Sequence, residues 1–161
     1  YISSFTKLPL YFMKKIDDYR KLLGATKSST LKELKTIYRN LMKDCHPDKF
    51  QNDDQGQLEA ENKSKGIIEA YHFIVSISPE TWASYKEEYT TTISSVLIAD
   101  IEYKGQTLRI DYADGNSYEY FDLPKSIYIK FINADSQNRY ARRTICNSYV
   151  YRKVTSNLVP A

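Results

Sequence analysis

An imidazole and a carboxylate lie two positions apart in the tripeptide His46-Pro47-Asp48. Such groups can move protons, bind a metal ion or present hydrogen-bonding groups to another molecule. A metal site would need further ligands, and the only other histidine is His72. A catalytic pair would need a nucleophile and an oxyanion hole, and the sequence offers no evident one. The tripeptide therefore favours presentation to a partner over metal binding or catalysis.

The segment before this tripeptide predicts a helix with two different faces. Thr30 and Glu33 form a capping box that begins the helix, and Pro47 prevents it from continuing through His46. At about 100° per residue, one stripe roughly 80° wide is basic and the opposite face is apolar. The basic stripe is Lys32, Lys35, Arg39 and Lys43, and the apolar face is Leu31, Leu34, Ile37, Tyr38, Leu41 and Met42. One side of the helix thus suits a core, and the other suits an acidic partner.

The chain divides into a helical half and a half with strand periodicity. Apolar residues recur at the helical period over residues 17–89 and alternate over residues 94–154. We expect residues 1–16 to be an extension, residues 90–93 a linker and residues 155–161 a tail. The predicted fold class is α+β.

The first half predicts a helical hairpin with two short flanking helices. Its hairpin is the helix before His46 and a third helix over residues 58–75, separated by a polar loop. The flanking helices cover residues 16–23, ending at Gly24, and residues 79–88.

The second half predicts a small α+β domain with an antiparallel meander. The strands are expected over residues 94–103, 106–112, 117–121 and 149–154, with a helix over residues 124–134. Asp114-Gly115 is a strong hairpin signal between the second and third strands.

Composition restricts the function classes further. The formal net charge is +3 over 161 residues, well below the charge density of a dedicated nucleic-acid binder. The longest apolar stretch near the start, residues 8–13, is too short to cross a membrane, so we expect no membrane partner. Two distant cysteines favour a reducing cytoplasm. Met13 offers a natural start, which would make residues 1–12 an added extension.

The first half resembles the J domain of DnaJ-like co-chaperones. The matching stretches are Asp18-Tyr19-Arg20-Lys21-Leu22-Leu23-Gly24, Glu33-Leu34-Lys35, Tyr38-Arg39, His46-Pro47-Asp48-Lys49 and Glu69-Ala70-Tyr71. The resemblance implies a protein without cofactor or catalytic activity that binds a DnaK-type (seventy-kilodalton heat-shock family) chaperone and stimulates its ATP hydrolysis. The implied binding residues are His46, Pro47, Asp48, Lys35, Tyr38, Arg39 and Lys43.

Three departures from the J-domain pattern bear on the strength and selectivity of binding. Ser64 replaces a usual Phe between the second and third helices, which predicts a thinner core or an aromatic supplied from elsewhere, such as Phe50 or Phe73. Asn40 replaces a usual basic residue, and Trp82 lies where the family often has Arg.

Residues 94–154 resemble the KTSC domain. The matching features are Ser94-Ser95, Tyr103, Leu108, Gly115, Tyr118, Tyr120, Leu123-Pro124, Tyr128, Ala134, Ser136, Ile145, Tyr149 and Tyr151. The resemblance implies no particular activity. We expect this domain to target the co-chaperone to an unidentified protein client, and the alternative is an RNA- or single-stranded nucleic-acid-binding protein whose J domain is weak or inactive. A cluster of basic and aromatic residues suits single-stranded nucleic acid or a client, while packing of the tyrosines in the sheet is the alternative. Its members are Arg139, Tyr140, Arg142, Arg143, Tyr149, Tyr151 and Arg152.

Overall fold

The protein folds as two compact units, divided between Thr81 and Trp82. The computed structural model describes residues 7–154, with side chains for residues 15–46 and 48–154. The predicted α+β class is confirmed, since the first unit is helical and the second contains a four-stranded antiparallel sheet. Residues 1–6 and the predicted tail 155–161 lie outside the described residues. A natural start at Met13 stays a prediction.

Three long helices make up most of the first unit. They are α1 (Lys7–Leu23), α2 (Leu31–Cys45) and α3 (Asp54–Ser76), followed by α4 (Pro79–Ser84), which spans the division. Both α1 and α2 pack against α3. The buried apolar residues are Ile16, Leu23, Leu34, Cys45, Ala60, Ile67, Ala70, Phe73, Ile74 and Ile77. The predicted hairpin of two helices is therefore present, with α1 completing its core.

Two helix boundaries in this unit differ from the prediction. The first helix is not short, because the backbone is already helical at Lys7, but it ends before Gly24 as predicted. Gly24 has a φ of +72°, a conformation that glycine adopts without a Cβ penalty. The third helix begins at Asp54 because the Asp53 carboxylate caps it, accepting from the backbone N–H of Gly56 at 3.1 Å.

The second unit contains short helices and one sheet. After the division come α5 (Lys86–Ser95), β1 (Ile98–Lys104), β2 (Thr107–Tyr112) and β3 (Ser117–Tyr120). They are followed by α6 (Lys125–Ile132), α7 (Gln137–Tyr140), a π-helical turn at Ala141–Ile145 and β4 (Tyr151–Val154). The predicted linker over residues 90–93 is wrong, because these residues lie inside α5. Thr92 and Ile93 are buried there, so their burial extends the helix through the expected break.

The sheet is the predicted meander. Its strand order is β1-β2-β3-β4, and each neighbouring pair is antiparallel. Gly115 turns the β2–β3 hairpin with a φ of +88°, and the Asp114 carboxylate accepts from the backbone N–H of Asn116 at 3.0 Å. Leu108, Ile110, Tyr118 and Tyr120 are fully buried on the core side. Strand alternation therefore positions the core of this unit as the sequence predicts.

A row of alternating charges crosses all four strands. Glu102 pairs with Arg109, Arg109 with Glu119, and Glu119 with Arg152 in the strand register. Arg152 Nη2 lies 3.3 Å from Glu119 Oε1, and Arg109 Nε lies 2.8 Å from Asp111 Oδ1. Opposite charges at directly paired positions stabilise a sheet modestly. Arg152 is therefore held by a carboxylate that adjoins it only in the folded sheet.

Cys146 is enclosed by tyrosine hydroxyls in the core of the second unit. The Tyr120 hydroxyl donates to its Sγ at 3.3 Å, and the Tyr89 hydroxyl donates to its carbonyl oxygen at 2.8 Å. The residue is 2% exposed. Burial raises the pKa of the Cys146 thiol above its ordinary value, outweighing the hydrogen bond from Tyr120. The burial of Cys146 and the raised pKa of its thiol therefore both oppose reaction at this sulfur.

We expect Cys146 to resist alkylation in the folded chain. Only the thiolate attacks iodoacetamide, so a raised pKa and enclosure should slow the reaction about a hundredfold relative to an accessible thiol. Mass spectrometry of the Cys146 peptide after timed treatment at pH 8 measures this rate. The urea-unfolded chain is the control, and equal rates in the folded and unfolded chains would contradict the prediction.

Candidate functional site

The helix that precedes the His46-Pro47-Asp48 turn is capped at its start as predicted. The Thr30 hydroxyl accepts from the backbone N–H of Glu33 at 3.2 Å, and the Glu33 carboxylate accepts from the backbone N–H of Thr30 at 2.9 Å. The Glu80 carboxylate is a third acceptor, and it accepts from the backbone N–H of Leu31 at 3.1 Å. Three of the donors at the start of α2 are thus satisfied, which defines where the helix begins.

The basic stripe lies on the solvent-facing side of α2. Lys32, Lys35, Arg39 and Lys43 are all exposed, whereas Leu34 on the opposite side is 1% exposed. Within the described residues, no carboxylate oxygen lies within 4.0 Å of the cationic nitrogens of these four residues. The charge of the stripe is therefore not neutralised by an ion pair within the described residues.

Tyr38 has a different setting from the other predicted contact residues of α2. Its ring stacks on Tyr71 of α3, with centroids 4.3 Å apart and an interplanar angle of 16°. The residue is half-buried. Tyr38 consequently joins α2 to α3, and part of its surface is taken up by that contact.

The turn itself is held by bonds to His46. His46 has φ −66° and ψ 130°, which ends α2, and its carbonyl accepts from the backbone N–H of Lys49 at 3.1 Å. Its Nδ1 accepts from the backbone N–H of Asp48 at 3.3 Å. The side chains of His46 and Asp48 are 52% and 76% exposed. The turn is therefore internally bonded while its two functional groups face solvent.

His46 Nδ1 also lies 3.3 Å from Asp48 Oδ2. Nδ1 has a single lone pair, so it accepts from the Asp48 N–H only when it carries no proton. In that state the proton of the neutral ring is on Nε2, which can donate to a partner. The turn thus presents the Nε2 side of the imidazole and one carboxylate side by side.

An open cleft lies along the end of α2, next to the turn. Its volume is about 600 Å³, and its lining residues are Arg39, Asn40, Met42, Lys43 and His46. Neither Asn40 nor Met42 was predicted as a contact residue. Asn40 lies three residues before Lys43 and Met42 lies four before His46, and these helical spacings could have indicated that they share this surface. The cleft combines an apolar thioether with cations, which suits an apolar segment flanked by acidic groups.

Ser64 makes a polar contact that the sequence did not predict. The residue is 6% exposed, and its hydroxyl lies 2.9 Å from the Cys45 carbonyl and 2.7 Å from the Ala60 carbonyl. Phe73, one of two aromatics expected to fill the space, instead packs against Tyr19 with ring centroids 5.2 Å apart. A polar contact therefore joins α3 to the end of α2 at this position.

The tyrosines of the predicted C-terminal cluster are half-buried, and two of them stack on other rings of the domain. The Tyr151 ring stacks on Trp82, with ring centroids 5.0 Å apart and an interplanar angle of 9°. It also stacks on Tyr89, with centroids 4.3 Å apart and an angle of 9°. The Trp82 Nε1–H also donates to the Tyr151 carbonyl at 2.7 Å. Tyr140 stacks on Phe131 at 6.1 Å. These contacts follow the alternative in which the tyrosines pack the domain.

The basic residues of that cluster divide into two groups. Arg152 is paired with Glu119, and the Arg142 guanidinium donates to the Ser94 carbonyl at 3.4 Å. Arg139 and Arg143 are exposed, and Tyr149 is half-buried. The seven predicted residues thus do not form one exposed surface of rings and cations, because the strand register places a carboxylate beside Arg152.

Two comparisons of sequence bear on both units. The family model of the DnaJ domain matches residues 18–81, and that of the KTSC domain matches residues 94–149. The chain carries a DnaJ domain followed by a KTSC domain. The DnaJ match ends at Thr81, where the first unit ends, and it contains the basic stripe and the His46-Pro47-Asp48 turn. The KTSC match begins twelve residues after Trp82, so it excludes most of α5 and all of β4.

Curated relatives match the region of the DnaJ domain. The chaperone protein DnaJ of Mesomycoplasma hyopneumoniae is 45% identical over 58 residues, which is 35% of this chain and 16% of that protein. The chaperone protein DnaJ of Mycoplasmopsis pulmonis is 41% identical over 73 residues, or 45% of this chain and 18% of that protein. The chain thus spans less than a fifth of the length of these relatives.

No helix in the described part of the chain has the length and hydropathy needed to cross a membrane. Among the same residues, no group of three or more His, Cys, Asp or Glu side chains is arranged to hold a metal ion. The exclusion of metal and catalytic roles for His46 stays a prediction.

Proposed function

We propose that this chain is a J-domain co-chaperone that binds a DnaK-type chaperone and stimulates its ATP hydrolysis, without catalysing a reaction itself. The observation that supports this most is the juxtaposition of an exposed, uncompensated basic stripe with the internally bonded His46-Pro47-Asp48 turn. Both lie in the segment that matches the DnaJ domain. The relatives named as chaperone protein DnaJ point to the same function.

The two parts of the site have separate roles in this proposal. Lys35, Arg39 and Lys43 attract an acidic surface of the partner, which raises the rate of encounter. The Asp48 carboxylate then makes a charge-assisted hydrogen bond to a partner cation, and His46 donates from Nε2. Because the turn is already bonded internally, little conformational entropy is lost on docking. Stimulation follows if the domain binds the hydrolysis-competent state of the partner more tightly than the other state.

We further propose that the KTSC domain brings the chaperone to a protein client. Apolar side chains are exposed on this domain, including Leu97 at 72% and Ile129 at 45%. Such groups suit apolar segments of a partly folded client. RNA is the alternative partner, and it has the exposed Arg139 and Arg143 in its favour but lacks Tyr151 as a stacking surface. A cytoplasmic location remains part of the proposal.

Single-turnover ATP hydrolysis by a DnaK-type chaperone, with and without this chain, tests the function. We expect acceleration that weakens as salt rises from 50 to 300 mM, because salt screens the attraction between the basic stripe and an acidic partner. Absence of acceleration at 50 mM salt would contradict the proposal.

Arg39→Ala should lower the apparent affinity in this assay about three- to tenfold at low salt, since it removes one steering cation. The difference from wild type should shrink at high salt. Lys63→Ala is the matched control, because Lys63 is an exposed cation on α3 outside the stripe. Equal losses in the two variants would contradict a specific role for the stripe.

A further inference from the structure

The last carbonyl of α2 is held by a side chain of α3. Cys45 is the final residue of α2 and is buried, and the last carbonyls of a helix lack partners within that helix. The Ser64 hydroxyl lies 2.9 Å from this carbonyl oxygen. A buried acceptor next to the functional turn is thereby satisfied by a residue 19 positions later in the chain.

The Ser64 hydroxyl has two acceptors but one proton. The Ala60 carbonyl, at 2.7 Å, lies one turn earlier in α3 and accepts a backbone N–H as part of the regular helix. The Cys45 carbonyl is at a helix end, so it depends more on the hydroxyl. Donation to the Cys45 carbonyl therefore satisfies an acceptor that the hydrogen bonds of the helix leave without a partner.

This bond constrains the peptide group from which the turn departs. The Cys45 carbonyl and the His46 nitrogen belong to one planar unit, so holding the oxygen orients the start of His46. The other end of the loop is held by Asp53, which caps α3 through Gly56. Both ends of the segment that contains His46, Pro47 and Asp48 are thus attached to α3.

We propose that Ser64 is a positioning residue: its hydroxyl, held against the Cys45 carbonyl, orients the His46-Pro47-Asp48 turn for the partner chaperone. The effect of Ser64 on ATP hydrolysis rests on the proposed function, whereas its effect on the geometry of the turn does not. In place of the aromatic ring that the J-domain pattern has here, this chain uses a polar contact directed at the end of α2. The turn is therefore sensitive to the loss of one oxygen atom on a neighbouring helix.

Full-length Ser64→Ala, Ser64→Thr and Ser78→Ala variants test this role. Ser64→Ala removes the donor, and Ser64→Thr keeps it. Ser78→Ala is the matched control, because Ser78 is 7% exposed and its hydroxyl donates to the Ile74 carbonyl at 2.8 Å, near the C-terminal end of α3. The readouts are hydrogen exchange of the Asp48 and Lys49 amides by NMR, and the acceleration of ATP hydrolysis at a temperature where every variant is folded.

We expect Ser64→Ala to speed exchange of the Asp48 and Lys49 amides and to lower the acceleration about tenfold, the effect of losing one hydrogen bond. Ser64→Thr should restore both to within about twofold, and Ser78→Ala should leave both near wild type. Unchanged amide exchange in Ser64→Ala, or an equal change in Ser78→Ala, would overturn the inference. If wild type fails to accelerate hydrolysis, the proposed function is wrong, while amide exchange still decides whether Ser64 orients the turn.

Discussion

His46→Gln and Asp48→Asn should each reduce the acceleration of ATP hydrolysis by a DnaK-type chaperone about tenfold or more. Asp48→Asn removes the charge from a hydrogen bond to the partner, and charge-assisted bonds contribute about twice as much as neutral ones. His46→Gln replaces a rigid ring, whose Nδ1 accepts from the Asp48 N–H, by a flexible side chain. The turn then loses an internal bond as well as the Nε2 donor.

These effects should appear without a comparable loss of stability. The side chains of His46 and Asp48 are 52% and 76% exposed. Asp48→Asn should therefore change the free energy of unfolding by about 0.5 kcal/mol or less, and His46→Gln by about 1 kcal/mol, the contribution of one hydrogen bond. Thermal unfolding of each variant checks this. Asp54→Asn is the matched control, because Asp54 is an exposed carboxylate on the neighbouring helix α3. Full acceleration by either motif variant would contradict the assigned site.

A fragment limited to residues 94–149, the stretch that matches the KTSC domain, is expected not to fold. It lacks Tyr89, which is 5% exposed and donates to the Cys146 carbonyl, and it lacks Tyr151 and the whole of β4. Loss of one large buried side chain costs about 3–5 kcal/mol, and small domains are stable by only about 5–15 kcal/mol. The loss of buried Tyr89, together with the half-buried Tyr151 and a whole strand, exceeds what a domain of this size can tolerate.

The fragment 82–154 is the matched comparison, and we expect it to unfold cooperatively. It contains Trp82, which stacks on Tyr151 and donates to its carbonyl at 2.7 Å. Circular dichroism during thermal unfolding distinguishes the two fragments. A cooperative transition in 94–149, or its absence in 82–154, would contradict this boundary.

In the full chain, Trp82→Phe keeps an aromatic ring. It should lower the free energy of unfolding by only about 1 kcal/mol, the contribution of one hydrogen bond.

The pH dependence of the second unit includes a contribution from Glu88. The Lys153 ammonium, 2.7 Å away, lowers the pKa of Glu88 below its ordinary value. A carboxyl group whose pKa is depressed by folding stabilises the fold at neutral pH, and this contribution disappears as the pH falls through the folded-state pKa. Glu88 is exposed, so solvent screening keeps the effect small. Glu88→Gln should therefore flatten the acid side of the stability profile slightly.

The site in the first unit was largely predictable because its determinants are local in the chain. The capping box, the stripe on α2 and the stop at Pro47 follow from side-chain chemistry and helical periodicity within about 20 residues. Lys35, Arg39, Lys43, His46 and Asp48 are all exposed in the structure, and their role as contact residues stays a prediction. Tyr38 is the exception, because its stacking on Tyr71 depends on how α3 packs.

Errors arose where the deciding contacts join distant positions. Thr90, Thr91 and Thr92 resemble a linker in composition, but Thr92 is 1% exposed and donates to Asp114, 22 residues away. The cluster from Arg139 to Arg152 contains no acid in sequence, yet Glu119 pairs with Arg152 across the sheet. Neither partner can be inferred from a window of neighbouring residues.

The sequence by itself determined the class of the two domains, the capped helix and the turn that ends it, because these depend on backbone preferences and short-range spacing. Only the tertiary structure decided three other features. They are the stacking of Tyr151 on Trp82 and Tyr89, the pairing of Arg152 with Glu119, and the bond from Ser64 to the Cys45 carbonyl. Each joins elements far apart in the chain, where packing and strand register determine which polar or aromatic group finds a partner.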